Sequence, residues 1–180
     1  VQYQVTLTST TGTATATVSD VSIAFTNDST SPTSPSLDSP DENSYTNNER
    51  PTFKWKVSTD DGSGMSKYTL AIDNGDIGDI TIDNIPTASS LTTDKYVITY
   101  DSGGDGYISV YTKASTIWPT DQNNGKLKEG KRTWTVTAYD VAGNTSSSSR
   151  DIYIDYTPPT LTSTASDIQA RVDGYDLINT

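Results

Sequence analysis

The sequence predicts an all-β protein folded as an antiparallel β-sandwich. Three observations lead there. Apolar residues recur with a period of two, as in Phe53-Lys54-Trp55-Lys56-Val57, which puts one face of each segment in a core and the other in water. Turn signals interrupt these segments every 8–15 residues, the spacing of a sandwich rather than of helices. The composition is rich in Thr, Val, Ile and Tyr and poor in Leu, Glu, Ala and Lys, which favours strands.

Residues 1–28 read as a β-hairpin segment, Gln2 to Thr8 and Thr13 to Thr26 about a turn at Thr11-Gly12. A lone hairpin is marginal in water, so it either ends a preceding domain or packs on the sandwich. Asn27 to Pro35 and Ile154 to Thr160 are proline-bearing linkers, stiffened because proline fixes φ and extends its predecessor. Between them, residues 34–157 form the sandwich. Its strands are Pro51–Val57, with Phe53, Trp55 and Val57 inward, and Tyr68–Ile72, with Tyr68, Leu70 and Ile72 inward. Lys95–Tyr100 and Tyr107–Tyr111 flank Asp101-Ser102-Gly103-Gly104-Asp105-Gly106 and read as a hairpin, because glycine supplies the positive φ of the turn. Arg132–Ala138 alternates with Trp134, Val136 and Ala138 inward, and Ile152 and Ile154 mark the last strand. Residues 158–180 are a linker and the start of a following segment.

Charge and composition exclude several functions. The 180 residues hold 12 Lys and Arg against 23 Asp and Glu, a net charge of -11. No basic patch exists to neutralise phosphates, so nucleic acid is not an expected partner. No apolar run approaches the roughly 20 residues that span a bilayer as a helix. There is no His and no Cys, which removes thiolate chemistry, His-based triads, zinc sites and disulfides. A Ser–Lys pair has no motif behind it, and carboxylate pairs are inevitable among 20 aspartates. The expectation is a protein that is not an enzyme. The chain begins at Val1 and shows no signal peptide, as expected of a mature chain or a piece of a longer one.

A resemblance adds to this. Arg50-Pro51-Thr52-Phe53-Lys54-Trp55, the run Trp134-Thr135-Val136-Thr137-Ala138-Tyr139-Asp140-Val141-Ala142-Gly143-Asn144 and Asp155-Tyr156-Thr157-Pro158-Pro159 come in an order that resembles bacterial Ig-like or fibronectin-III-like repeats of large surface proteins and adhesins. The resemblance covers roughly residues 34–160. It implies an Ig-like antiparallel β-sandwich, with the 95–112 hairpin as an insertion in a stretch, Asp73 to Gly125, that is longer than a plain repeat. It further implies a tandem array, a bacterial cell-surface or extracellular location, a spacer or adhesive role, and in some members calcium.

Two candidate sites stand out. Calcium takes six to eight hard oxygens from carboxylates and carbonyls, and Asp-rich loops supply them. Asp140 with Asn144 is the first candidate, with Asp28 or Asp38 of the incoming linker expected beside it. Asp155 is expected at the opposite end, towards the next domain, because a turn and the exit of the following antiparallel strand lie at opposite ends of a sandwich. Asp60/Asp61, Asp73/Asp76/Asp79 and Asp101/Asp105 are further acidic loops. Against each stands the plainer reading, a turn whose Asp accepts local N–H groups. The second candidate is an aromatic ligand site on the 95–118 stretch, Tyr107, Tyr111 and Trp118, whose rings would stack on sugars. Against it stands ordinary cross-strand packing.

The expected function is that of a non-catalytic structural or adhesive spacer module. The alternatives are a carbohydrate-binding module using those aromatics, and a filament subunit assembling by β-strand addition. Expected partners are neighbouring domains of the same chain, a glycan, or another surface protein, with Ca²⁺ as the one cofactor to look for.

Overall fold

The computed structural model describes residues 27–104 and 106–160, together with residues 6 and 12. The expected N-terminal hairpin and the segment beyond residue 160 lie outside the described residues. Within them the fold is a β-sandwich of two five-stranded sheets. The strands are β1 (Ser36–Ser39), β2 (Ser44–Thr46), β3 (Phe53–Lys56), β4 (Met65–Ile72), β5 (Ile80–Ile85), β6 (Leu91–Thr92), β7 (Tyr96–Asp101), β8 (Tyr107–Thr112), β9 (Gly130–Asp140) and β10 (Thr145–Ile154). One sheet has the order β1-β3-β8-β7-β6 and the other β2-β10-β9-β4-β5. Neighbours are antiparallel except β2 and β10, which run parallel.

The period-two segments place the core where the sequence does. Phe53 and Trp55 from β3, Tyr68, Leu70 and Ile72 from β4, and Trp134, Val136 and Ala138 from β9 are all at most 1% exposed. Trp134 meets Phe53 across the sheets at 5.1 Å between ring centroids, and Trp55 meets Tyr68 edge-on at 5.7 Å. The 95–112 hairpin is β7 and β8. It sits within the first sheet, because β8 pairs with β3 along Phe53–Lys56 and buries Ile108 and Val110.

The long strand β9 sets the axis of the module. Its eleven residues rise by about 33 Å at roughly 3.3 Å per step. Asp140 marks the proximal end, where the chain arrives from residue 28. Ile154 pairs with Gly130 at the distal end, where the chain leaves. The incoming linker is fastened at the proximal end: Thr33 N donates to Thr59 O and Thr59 N to Thr33 Oγ1, both at 2.9 Å. The outgoing segment is fastened at the distal end. Tyr156 N donates to Glu129 Oε1 at 2.9 Å, and Lys126 Nζ lies 4.0 Å above the Tyr156 ring.

Candidate functional site

The proximal end gathers three acids from segments far apart in sequence. Asp28 comes from the linker, Asp60 from the β3–β4 loop and Asp140 from the end of β9. Each brings a carboxylate oxygen to within 4.8 Å of the others. Local sequence explains how each is held. Asp140 opens the turn Asp140-Val141-Ala142-Gly143-Asn144, where Gly143 adopts φ +97°, a left-handed backbone that suits glycine. Its Oδ1 accepts from Gly143 N at 2.6 Å and Asn144 N at 2.7 Å. Asp60 Oδ2 accepts from Gly64 N at 2.7 Å and Gly62 N at 3.2 Å. Asp28 accepts from Thr30 N at 2.9 Å and Ser63 N at 2.7 Å. These N–H groups, Thr30 first, hold the Asp28 carboxyl below the usual carboxylate range, since they favour its charged form.

Asn144 ties the linker to this cluster. Its Nδ2 donates to Asp28 O and Thr30 O, both at 3.1 Å, and to Asp140 Oδ2 at 2.7 Å. The Asp28 carboxylate lies directly over Gly62, where a Cβ would collide with it. An open pocket beside the cluster is lined by Asn27, Asp28, Gly62, Ser63, Val141 and Ala142.

Two features distinguish this cluster from the other acidic loops. Asp140 is 2% exposed, yet none of the ion pairs among the described residues involves Asp28, Asp60 or Asp140. Asp60 Oδ1 is buried and has no hydrogen-bond partner among the described residues. Several acids elsewhere have partners of their own. Asp38 pairs with Lys54 at 3.0 Å and is not in the cluster; of the two acids expected beside Asp140 it is Asp28 that joins it, with Asp60 in addition. Asp76 pairs with Lys128, Asp73 Oδ1 accepts from Gly75 N, and Asp101 Oδ1 accepts from Gly103 N, so these loops are turns. Asp155 lies at the distal end, its N–H donating to Thr46 O at 2.9 Å, and does not join the proximal cluster.

The three aromatics do not form one platform. Tyr107 and Tyr111 point outward from β8, and Tyr107 carries the Lys54 ammonium 4.2 Å from its ring centre. Tyr111 is 39% exposed. Trp118 is buried, its Nε1 donating to Lys113 O at 2.9 Å and its indole packed on Gly125. It closes the distal end of the core and offers no open face for a sugar, which corrects that part of the stacking expectation.

The class these features define is a β-sandwich module with a cluster of acids at the end where its chain arrives. No protein-family model matches the chain. No curated protein matches it. Among solved structures, the crystal structure of CopC from Methylosinus trichosporium OB3b is similar over 71% of this chain and 99% of that one, at 7% identity and a TM-score of 0.37. A likeness that slight carries no functional argument. No helix among the described residues is long and apolar enough to cross a membrane.

Proposed function

We propose that this chain is a non-catalytic, load-path spacer in a multi-domain bacterial surface protein, with an Ig-like sandwich as its body. The observation that carries the reading is the route of the chain. It arrives beside Asp140 and leaves beside Gly130, at opposite ends of an eleven-residue strand. A module of this kind adds its own length to an array. A module whose termini lie side by side makes a branch instead. The strand order and the parallel β2–β10 pair support the Ig-like reading. Anchoring of the chain at both ends supports stiffness over a free hinge.

The proximal acids fit a calcium ion. Hard carboxylate oxygens are the donors that ion takes, and Asp60 Oδ1 is a buried oxygen still lacking a partner among the described residues. Asp28, Asp60 and Asp140 would hold the ion. Its charge would offset the repulsion among three acids that no lysine or arginine among the described residues pairs with. Because Asp28 is the last acid of the linker, bound calcium would join linker to body.

The test is thermal unfolding of the full chain in calcium and in chelator, for wild type and Asp140→Ala. Calcium that binds only the folded state raises stability by about 2.7 kcal/mol at a hundredfold excess over Kd. Wild type is expected to melt higher in calcium, and Asp140→Ala to melt alike in both. Identical wild-type curves would make the cluster a set of turns and remove calcium from the reading.

A further inference from the structure

We infer that Tyr45 and Tyr153 are a site of oxidative cross-linking, at which hydrogen peroxide and a peroxidase join the two phenols into a dityrosine. The inference stands on the fold and does not depend on the spacer reading. Tyr45 lies in β2 and Tyr153 in β10, directly opposite each other in the parallel pair. Tyr153 alternates with buried Ile152 and Ile154, so its ring is on the outer face of the sheet. There the two rings stack, with centroids 4.7 Å apart and planes 14° from parallel. Tyr45 is 73% exposed, so an oxidant reaches it from solvent. The radical formed on it then has a second phenol already against it.

Peroxide is the electron acceptor. The peroxidase takes one electron from each phenol, and each phenol releases its O–H proton to water. The two phenoxyl radicals pair to form a carbon–carbon bond between ring carbons ortho to the oxygens. The hydrogens on those carbons then shift to the oxygens and restore both phenols. The protein loses two hydrogens, and the peroxide becomes two waters. Both rings lie on the outer face, so they turn about their side-chain bonds from a stack to the edge contact that coupling needs. Groups held together on one chain meet at an effective concentration in the mM range, about a thousandfold above another chain's tyrosine at roughly 1 µM.

Other tyrosines are placed less well. Tyr45 and Tyr153 are the one tyrosine pair in ring contact among the described residues. Tyr68 is buried, its oxygen accepting from Ser58 N. Tyr107, Tyr139 and Tyr156 each carry a lysine ammonium over the ring, from Lys54, Lys67 and Lys126. The new bond staples β2, a strand of three residues, to β10, a strand of ten. A cross-link that closes a loop of about 100 residues restricts the unfolded chain and so favours the folded one.

The experiment treats the full chain, at roughly 1 µM so that separate chains rarely couple, with a haem peroxidase and hydrogen peroxide. Dityrosine fluorescence, intact mass and the mass of cross-linked peptides are read. The variants are Tyr45→Phe and Tyr153→Phe, which keep the stacked rings and remove one phenol, with Tyr111→Phe as the control at a tyrosine 39% exposed. Wild type is expected to give a monomer lacking two hydrogens, whose digest joins the Tyr45 peptide to the Tyr153 peptide. Its melting temperature is expected to rise by about 5 °C or more. Tyr111→Phe is expected to behave as wild type, and the two site variants to form about tenfold less cross-linked monomer, or none. Cross-links mainly between separate chains, or between other tyrosines of one chain, would overturn the inference. So would a site variant that yields as much cross-linked monomer as wild type. A cross-linked product that melts with the untreated chain would overturn the stapling of β2. Should Tyr153→Phe fail to fold, Tyr45→Phe decides, since that ring is the exposed member of the pair.

Discussion

Replacing Trp134 tests the core most sharply, because two substitutions separate two physical effects. Trp134 is fully buried, its ring tilted against that of Phe53, and in register with Ile72 of β4 and Arg150 of β10. Alanine there removes the whole indole from the middle of the sandwich and should cost about 3–5 kcal/mol. The indole N–H, however, has no hydrogen-bond partner among the described residues. A buried donor in that state costs about 1–3 kcal/mol. Trp134→Phe loses part of the ring and also removes that donor, so the two effects oppose. Its net cost should fall within about 1–2 kcal/mol. At about 3–5 °C per kcal/mol for a domain of this size, the alanine variant should melt roughly 9–25 °C below wild type. The phenylalanine variant should melt within about 10 °C of it. Urea unfolding followed by the fluorescence of the remaining tryptophans gives both values. A phenylalanine variant as unstable as the alanine one would refute the opposing-effects reasoning, and an alanine variant within about 1 kcal/mol of wild type would refute the core.

Three further outcomes are expected. Gly62→Ala should push the Asp28 carboxylate off Ser63 N, cost about 1–2 kcal/mol in urea unfolding and weaken any calcium response. Asn144→Ala should release the linker carbonyls of Asp28 and Thr30, read as faster proteolytic cleavage near residue 30 with a smaller change in melting temperature. Stability should be level from pH 8 to about pH 5 and decline in more acidic buffer, seen as a falling melting temperature. The sign comes from Glu49, Glu129, Asp83 and Asp151, whose carboxyls are held below their ordinary values of 4.5 and 3.8. The cause is Lys126 for Glu49, Thr157 for Glu129, Asn84 N–H for Asp83 and Lys131 for Asp151. Groups depressed in the folded state stabilise it above the ordinary value, and that stabilisation is lost as pH falls through the folded one. Rising stability between pH 5 and pH 3 would contradict this.

Strands with clean alternation are legible from sequence, and those that depend on tertiary pairing are not. β3, β4, β9 and the β7–β8 hairpin each carry two or three inward apolar residues, and those residues are the core. β1 and β2 are short and polar, and exist because β3 and β10 offer them edges. β5 is hidden because its inward residues are Ile80, Ile82 and Ile85. The pattern slips by one where Asn84 takes φ +56°, a break in the register against β4. The site is half legible. A turn preceding the final strand fixes Asp140 at the end where the linker arrives, which brings Asp28 and keeps Asp155 away. Asp60 can be seen only as a loop acid, since nothing local says that the β3–β4 loop folds back onto residue 28. Trp118 misleads because nothing in its neighbourhood shows that Gly125 gives it a bare backbone surface to pack on.

The most direct measurement is the distance between the ends of the module in solution. The chain has no cysteine, so Ser29→Cys and Thr157→Cys give two unique positions for nitroxide labels. A path running straight through along β9 predicts a mean separation of about 33 Å or more by pulsed dipolar spectroscopy, since ten strand steps lie between Gly130 and Asp140. Calcium bound at the junction predicts a narrower distribution with an unchanged mean. A mean below about 20 Å would place arrival and exit on one side of the sandwich and contradict the spacer.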